Sequence, residues 1–411
     1  MTDAIVISGV GLATGLGLGA QRNWEALLQG ESGVRRIAGF DPAGGATDQG
    51  GECPPLPADP QAPPDRDRRD RAHRYLVAAC QEAWAQAGLS TAGGEGAAPA
   101  PARRALFVGS SLAAQASADA YWASFLAHGP EAADWSLLGS YDVEHRLEDL
   151  CARFGIEGEA LLVTNACAAG ASAIALAAGA LRLGRCDLAL AAGFDALDLH
   201  TFAGFGAIKA LAADATRPFS EGRSGMRLGD GFAALVLEPE ARARAAGRRP
   251  LARLRGWGES ADAHHLTQPH PEGRGAALAM RRALARAAIE PGAVDHVNAH
   301  ATATPANDLA EARAMLAALG PRAREVPVSA TKAAIGHTLG GAGAVEAVIT
   351  VLALGAQELP PTLGLGPLDP EIGAPFDRVP ARRAAALRTA LSSSFGFGGC
   401  NAVLVLEAVR G

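Results

Sequence analysis

The sequence predicts an α/β protein made of two related halves, and two observations carry that reading. Short apolar, partly β-branched runs alternate with longer Ala/Leu-rich segments along the whole chain, the pattern of strands feeding helices. One phrase also occurs nearly twice, GDGFAALVLEPE at 229–240 and GFGGCNAVLVLEAV at 396–409, each after a glycine-rich turn and each closing its half. The halves divide at about 1–250 and 251–411. Size agrees: single cores stop growing at roughly 250–300 residues, and this chain has 411.

Taken in order, the strand-like runs of the first half are 4–10, 104–110, 160–166, 186–193 and 232–238. Those of the second are 251–258, 296–302, 325–331, 390–396 and 401–407. Helical periodicity falls between them, at 71–87, 168–183, 275–288, 308–319 and 342–354. Such alternation implies right-handed crossovers and mostly parallel sheets. The stretches 54–64 and 91–101, rich in Pro, Ala and Gly with no periodic face, read as surface excursions.

Composition excludes several classes. A formal net charge of -6 argues against general affinity for nucleic acid or anionic membranes. The opening MTDAIVISGVGLATGLGLGA has an acid at Asp3 and no basic region, so it reads as strand and turn, not as a signal peptide. No apolar run is expected to span a bilayer. The six cysteines are scattered, with neither C-x-x-C nor metal-like clustering, which fits reduced thiols in a cytoplasm and predicts no metal site. DAHHLTQPHPEG at 262–273 has irregular histidine spacing and is read as a loop.

Four segments carry groups capable of chemistry. In LLVTNACAAGASAIALAAGAL, Cys167 stands where a strand gives way to a helix, and small neighbours leave room for a thioester. A helix N-terminus favours the thiolate, although an isolated cysteine is more often a small apolar filler. VNAHATATPANDLAEA places His300 at a strand end, followed by Thr302 and Thr304 and by the acids Asp308 and Glu311. SATKAAIGHTLGGAGAVEA brings Lys332, His337 and Glu346 around a glycine-rich turn. Lys332 is one of only two lysines, with Lys209, in an arginine-dominated chain, and a lysine kept there suits chemistry that arginine cannot do. A phosphate loop does not fit, because the lysine precedes the glycines; a histidine donor to an oxyanion or enolate is the better account. In SSSFGFGGCNA, glycines on both sides of Phe397 let that loop pivot, and its N–H could complete an oxyanion hole with that of Cys167.

With those motifs in this order, the chain resembles the β-ketoacyl-acyl carrier protein synthases of the elongating, decarboxylating Cys-His-His type, nearly end to end. The resemblance rests on VISGVGLATGLG, RPFSEGRSGMRLGDGFAALVLE (217–238) and FGFGGCNAVLVLE besides the segments above. It implies a thiolase-like five-layer αβαβα fold of two similar halves, usually a dimer, in fatty acid or specialised polyene or polyketide synthesis. It implies Cys167 as nucleophile, His300 and His337 as donors to the malonyl thioester carbonyl, and Lys332 with Glu346 as their charged support. Phe397 becomes the gate, Leu112 and Phe205 the acyl pocket, and Arg68, Arg69 and Arg71 candidates for docking an acidic acyl carrier protein. No cofactor is implied.

Three departures stand out. Alanines occupy 168 and 169, GFD (193–195) replaces a Gly-Gly pair, and Cys400 stands where threonine is frequent. Two alternatives stay open: a thiolase-type coenzyme A acyltransferase using Cys400 as a second thiol, and a subunit that pairs with a chain-length-factor partner.

Overall fold

The computed structural model describes residues 4–42, 44–57, 71–90, 98–113, 115–141, 143–373 and 376–409. Ten strands carry the architecture. In the first half they are β1 (Ile5–Thr14), β2 (Arg104–Gly109), β3 (Ala160–Val163), β4 (Leu188–Asp195) and β5 (Gly231–Pro239). In the second they are β6 (Ala252–Ala261), β7 (His296–Asn298), β8 (Val328–Ser329), β9 (Thr389–Gly396) and β10 (Cys400–Ala408).

Hydrogen bonding joins them in the order β8-β7-β9-β10-β6-β1-β5-β4-β2-β3. Counted outward from the β1–β6 junction, the order in each half is first, fifth, fourth, second, third. At that junction Ile5, Val6 and Ile7 face Leu254, Arg253 and Ala252 in antiparallel register.

The sheet is less parallel than alternation implies. The outer junctions, β4–β2, β2–β3, β9–β7 and β7–β8, are parallel, whereas the five central ones are antiparallel. The reason is local: β9 turns straight into β10, with Gly396 opposite Cys400, leaving no room for a crossover helix. Likewise the segment joining β4 to β5 places its helix beside the site and not across the sheet.

Six helices complete the layers: α1 (Arg71–Gln86), α2 (Ala169–Arg182), α3 (Leu199–Ala207), α4 (Arg274–Ala287), α5 (Pro305–Leu319) and α6 (Ala342–Ala356). The periodicity at 71–87, 168–183, 275–288, 308–319 and 342–354 finds α1, α2, α4, α5 and α6 to within three residues at each end. It misses α3, as well as helices at Ala20–Leu28, Gln115–His128 and Val143–Phe154.

On one outer face α1 packs Leu76 and Trp84 with Leu106, Leu190 and Val236 of the first half-sheet. On the other, α4 and α5 pack Met280, Leu284 and Met315 with Val297, Leu391 and Val403. Between the half-sheets lie α2 and α6, whose Ile174, Ala177, Val345 and Val348 share one core with both. The result is the five-layer αβαβα arrangement. The stretch 339–356 is apolar and long enough to cross a membrane by composition, which the sequence reading did not expect, but 83% of it is buried inside the fold.

The two middle helices touch backbone to backbone, and glycine is what permits it. A Cβ on Gly343 would lie 2.5 Å from the Ala171 nitrogen, and one on Gly170 would lie 2.8 Å from the Ala344 nitrogen. Helix propensity favours Gly343→Ala by about 0.8–1.0 kcal/mol, whereas overpacking against immovable backbone costs about 1–3 kcal/mol. We therefore expect this variant to lose about 1 kcal/mol net, read as a lower urea midpoint at unchanged m. A higher midpoint would mean that the two helices separate freely.

Candidate active site

The turn from β3 into α2 is tight. Ala166 adopts φ 46°, in the left-handed region that residues with a side chain seldom occupy, and Cys167 follows it just ahead of the helix. Gly396, at the end of β9, comes close here: a Cβ on it would be 3.0 Å from the Cys167 nitrogen. Strand β9 is thus pressed against the cysteine turn, and the residue after Gly396 is Phe397.

The thiol is 7% exposed. Burial pushes it up to about 12, against the pull of the Lys332 charge and of hydrogen bonds from the Phe397 and Cys167 N–H groups, while Asp195 pushes it further up. The helix-terminus argument predicted the opposite direction. Desolvation of the anion outweighs the donors gathered around it.

Both imidazoles are buried, and their rings meet edge to face with centroids 5.3 Å apart. His300 is fixed from behind: Glu311 accepts from the His300 N–H at 2.8 Å and from the Ala301 N–H at 2.7 Å, which holds Ala301 at φ 40°. Its Nδ1 is buried with no partner among the described residues. His337 Nδ1 accepts from the Leu339 N–H at 3.2 Å, so a neutral ring carries its proton on Nε2. Burial, then the nearby Lys332 charge, holds both rings well below the ordinary imidazole value; for His300 the neighbouring His337 adds to this.

Lys332 is itself 1% exposed, and its Nζ donates to Glu346 Oε1 at 2.5 Å. Burial lifts the Glu346 carboxyl to about 7, with Lys332 pulling it back. Thr331 Oγ1 also donates to the same oxygen, at 3.4 Å.

Cys167, His300 and His337 line one cavity of about 260 Å³. Thr302 and Thr304 line it too, their hydroxyls 2.9 Å apart. Phe205 and Phe397 share its wall, rings stacked at 5.6 Å and 18°. Leu112 is not on the wall; it packs with Phe205 in the apolar cluster behind. Lys209, the other lysine, lies exposed at the cavity rim.

Arg71, a docking candidate, has an internal partner. Its guanidinium pairs with the wholly buried Asp230 and lies 4.9 Å over the Tyr75 ring, because a buried carboxylate needs a countercharge. The side chain is nevertheless 35% exposed, so the cation has an internal partner and still reaches the surface. Arg68 and Arg69 lie outside the described residues. His264 and His270 lie with ring centroids 5.1 Å apart, and among the described residues no group of three or more His, Cys, Asp or Glu could hold a metal.

Sequence reasoning missed several positioning groups. Asp195 accepts from Ser110 Oγ at 2.5 Å, from the Ser111 and Leu112 N–H groups at 3.0 Å, and from the Gly340 N–H at 2.7 Å. It thereby ties the first half to the turn after His337. The unusual GFD was its only trace in the sequence. The Phe397 turn is held by the 262–273 loop, since Leu266 O accepts from the Gly398 N–H at 2.7 Å and Asp262 Oδ1 from Asn401 Nδ2 at 2.8 Å.

A family model described as "Beta-ketoacyl synthase, N-terminal domain" matches residues 2–243, and "Beta-ketoacyl synthase, C-terminal domain" matches 251–366. The chain belongs to the β-ketoacyl synthases. The 3-oxoacyl-[acyl-carrier-protein] synthase 2 of Vibrio harveyi is 35% identical over 98% of each chain. Among solved structures, the ishigamide ketosynthase/chain length factor superposes with TM-score 0.91 at 31% identity, covering 100% of both chains. A type II polyketide ketosynthase, solved with its acyl-carrier protein and bound to the hexaketide, gives TM-score 0.90 at 25% identity over 100% of both. The synthase is therefore a condensing acyltransferase.

In this synthase the buried Lys332–Glu346 pair can be tested alone. Removing one partner of such a pair costs about 3–5 kcal/mol, because the other charge is left unpaired. Lys332→Met should lower unfolding free energy by that amount, and adding Glu346→Gln should recover more than half. A loss below about 1 kcal/mol in the single variant would put the pair in contact with water.

Proposed function

We propose that the protein is a β-ketoacyl-acyl carrier protein synthase in which Cys167 carries the growing acyl chain and His300 and His337 stabilise the enolate of malonyl-acyl carrier protein. One observation carries this reading: a thiol from the first half and two neutral imidazoles from the second line a single cavity.

In the first step the Cys167 sulfur attacks the acyl thioester of the carrier protein. The C–S bond to the carrier breaks, the carrier leaves as a thiol with the cysteine proton, and an acyl-cysteine remains. The Cys167 and Phe397 N–H groups, already directed at the sulfur, are placed to receive the carbonyl oxygen as it becomes an oxyanion. In the second step malonyl-acyl carrier protein loses carbon dioxide. The electron pair of the broken C–C bond moves into an enolate, whose oxygen takes hydrogen bonds from the imidazoles. The enolate carbon attacks the acyl-cysteine, giving a β-ketoacyl thioester longer by two carbons; the cysteine leaves as thiolate and takes up a proton.

Thr302 and Thr304 offer hydroxyls to the arm that carries the malonyl group, and Lys332 with Glu346 sets the field around the rings. Phe397, flanked by Gly396 and by Gly398 at φ 80°, is the movable aromatic between acyl and malonyl sides. Leu112 and Phe205 belong to the acyl side, and Arg68, Arg69 and Arg71 remain the docking candidates. Partners in this reading are acyl- and malonyl-loaded carrier protein, with assembly as a homodimer or with a chain-length-factor-like subunit. The solved relatives named above pair with such proteins. A cytoplasmic setting belongs to this reading and fits the six cysteines, all free. A thiolase reading finds less support, since Cys400 is not on the cavity wall.

Cys167→Ala should give no acyl adduct by intact-protein mass after incubation with acyl-carrier protein; a persisting adduct would move the nucleophile elsewhere. His337→Ala should slow malonyl decarboxylation by about 10²–10³, the usual loss for one oxyanion donor. Because both rings are held well below 6.5, they stay neutral donors, and their ring ¹⁵N chemical shifts should keep neutral-imidazole values from about pH 8 to pH 6. An inflection near the ordinary imidazole value would show a ring titrating there.

A further inference from the structure

We propose that Arg223 is a positioning residue that sets the mouth of the cavity, so that it governs how well a carrier-bound thioester is held and not how Cys167 reacts. The proposal rests on the acyl-transfer reading above and names a residue that acts through Thr302 and Thr304.

Arg223 belongs to the segment between α3 and β5 and is 6% exposed. Its Nη2 donates to Pro305 O at 2.8 Å and its Nε to Thr304 O at 3.4 Å, at the start of α5. Its Nη1 pairs with Asp369, on the segment that follows α6, and donates to Ser220 O at 3.4 Å. Asp308, in the first turn of α5, lies 3.9 Å away. The next residue, Ser224, lines the cavity from the first half, and Thr302, Thr304 and Pro305 line it from the second. Ser224 and Pro305 are exposed, so this is where the cavity meets solvent. One guanidinium fastens the two walls of that mouth to each other.

Its position asks for a reason. A helix N-terminus is the positive end of the dipole, and a cation there is disfavoured. Burying the cation adds a desolvation cost, which Asp308 and Asp369 offset. A neutral donor would satisfy a spare carbonyl at less cost. What a guanidinium adds is a rigid fork that reaches two successive carbonyls while it holds carboxylates as well. The turn it grips is also strained: Ala301 and Ala303 have φ of 40° and 61°, a region unfavourable to residues with a side chain. Glu311 accepts from the His300 and Ala301 N–H groups, and Asp308 from that of Ala303. These acids hold the donors of the turn, and Arg223 holds its last carbonyls. His300, Thr302 and Thr304 alternate with the strained alanines, and all three line the cavity. Loss of Arg223 therefore frees the Thr304 end of the turn first, and leaves the Cys167 turn, to which Arg223 makes no hydrogen bond among the described residues, in place.

The test measures decarboxylation of malonyl-acyl carrier protein against substrate concentration in wild type, Arg223→Lys and Asp369→Asn. Alkylation of Cys167 by iodoacetamide, which has no carrier arm, is followed in parallel by intact-protein mass. Lysine keeps a charge for both carboxylates but cannot bridge the Thr304 and Pro305 carbonyls. We expect Arg223→Lys to raise KM about tenfold, the scale of one hydrogen bond to a charged group, with kcat and the alkylation rate within about twofold of wild type. Asp369→Asn, which leaves the bonds to the two carbonyls intact, should keep the wild-type KM. An unchanged KM in Arg223→Lys overturns the proposal. So does an alkylation rate that changes as much as KM, or an equal rise of KM in Asp369→Asn, because the arginine would then support the fold at large. Should Arg223→Lys not fold, Arg223→Gln takes its place, and failure of both to fold overturns the proposal on the same ground. A wild type that neither decarboxylates malonyl-acyl carrier protein nor takes an acyl adduct would overturn the acyl-transfer reading itself, a result distinct from any of these.

Discussion

Everything chemical in this protein lies within the field of one buried cation. Lys332 is 1% exposed, and among the described residues the carboxylate it pairs with is Glu346 on α6. Two charges buried together are costly, and their attraction returns that cost only where geometry is good. What the lysine supplies is a local positive potential at the site, partly offset by its carboxylate partner. That potential acts on three groups at once: it favours the Cys167 thiolate, and it disfavours protonation of both His300 and His337. A site that must hold neutral imidazoles as donors while accepting developing negative charge is well served by such a lysine. Arginine would be a poor substitute, because its larger planar fork could not be enclosed at this point on a single carboxylate oxygen.

The fold explains how groups 133 and 170 residues apart in sequence reach that point. Helices α2 and α6 lie between the half-sheets and contact each other through Gly170 and Gly343. Cys167 precedes the first of these helices and His337 the second, so the contact that permits the middle layer also brings their leading turns together. Asp195 strengthens this tie, with three donors from the first half and one from the glycine turn of the second. Burial lifts it to about 6, so it is a strongly solvated carboxylate in spite of its position only because four donors meet it. Glu311 does the same for the His300 turn. The backbone there is held in unfavourable conformations, at Ala301 and Ala303, by acids that accept its N–H groups.

Much of this was legible in the sequence. Long periodic segments such as 169–182 and 342–356 declare themselves because their apolar faces contact a sheet on more than one side. That Cys167, His300, His337 and Phe397 would matter together was legible because each stands as an unusual residue type beside small ones, and all four line one cavity. Strand direction was not, since it depends on whether a helix fits between consecutive strands, and β9 to β10 shows that it need not. Short helices such as 199–207 were missed because they are organised by the site and not by a sheet face. The internal partner of Arg71 was hidden for a similar reason: sequence shows a charge run, but only the fold shows the buried Asp230 that pairs with its first helical member. The acids that clamp turns leave almost no trace, because a carboxylate accepting backbone N–H groups looks like any other until the turns are assembled.

The raised thiol has a consequence for the order of events. A cysteine held up at about 12 is almost wholly protonated near neutral pH, so the resting enzyme offers little free thiolate to stray electrophiles. Its hydrogen-bond donors, the N–H groups of Phe397 and Cys167, are nevertheless built in. They have more to gain from a thioester carbonyl that becomes an oxyanion than from a neutral sulfur. In the function proposed above, a carrier-bound acyl group would give those donors an oxygen in place of a neutral sulfur. The turn that carries the Phe397 donor is itself held from the cavity side, where Leu266 O accepts from the Gly398 N–H and the 262–269 stretch lines the cavity. The oxyanion donors and the cavity lining are thus fixed by the same short turn, so the position of one cannot be altered without the other.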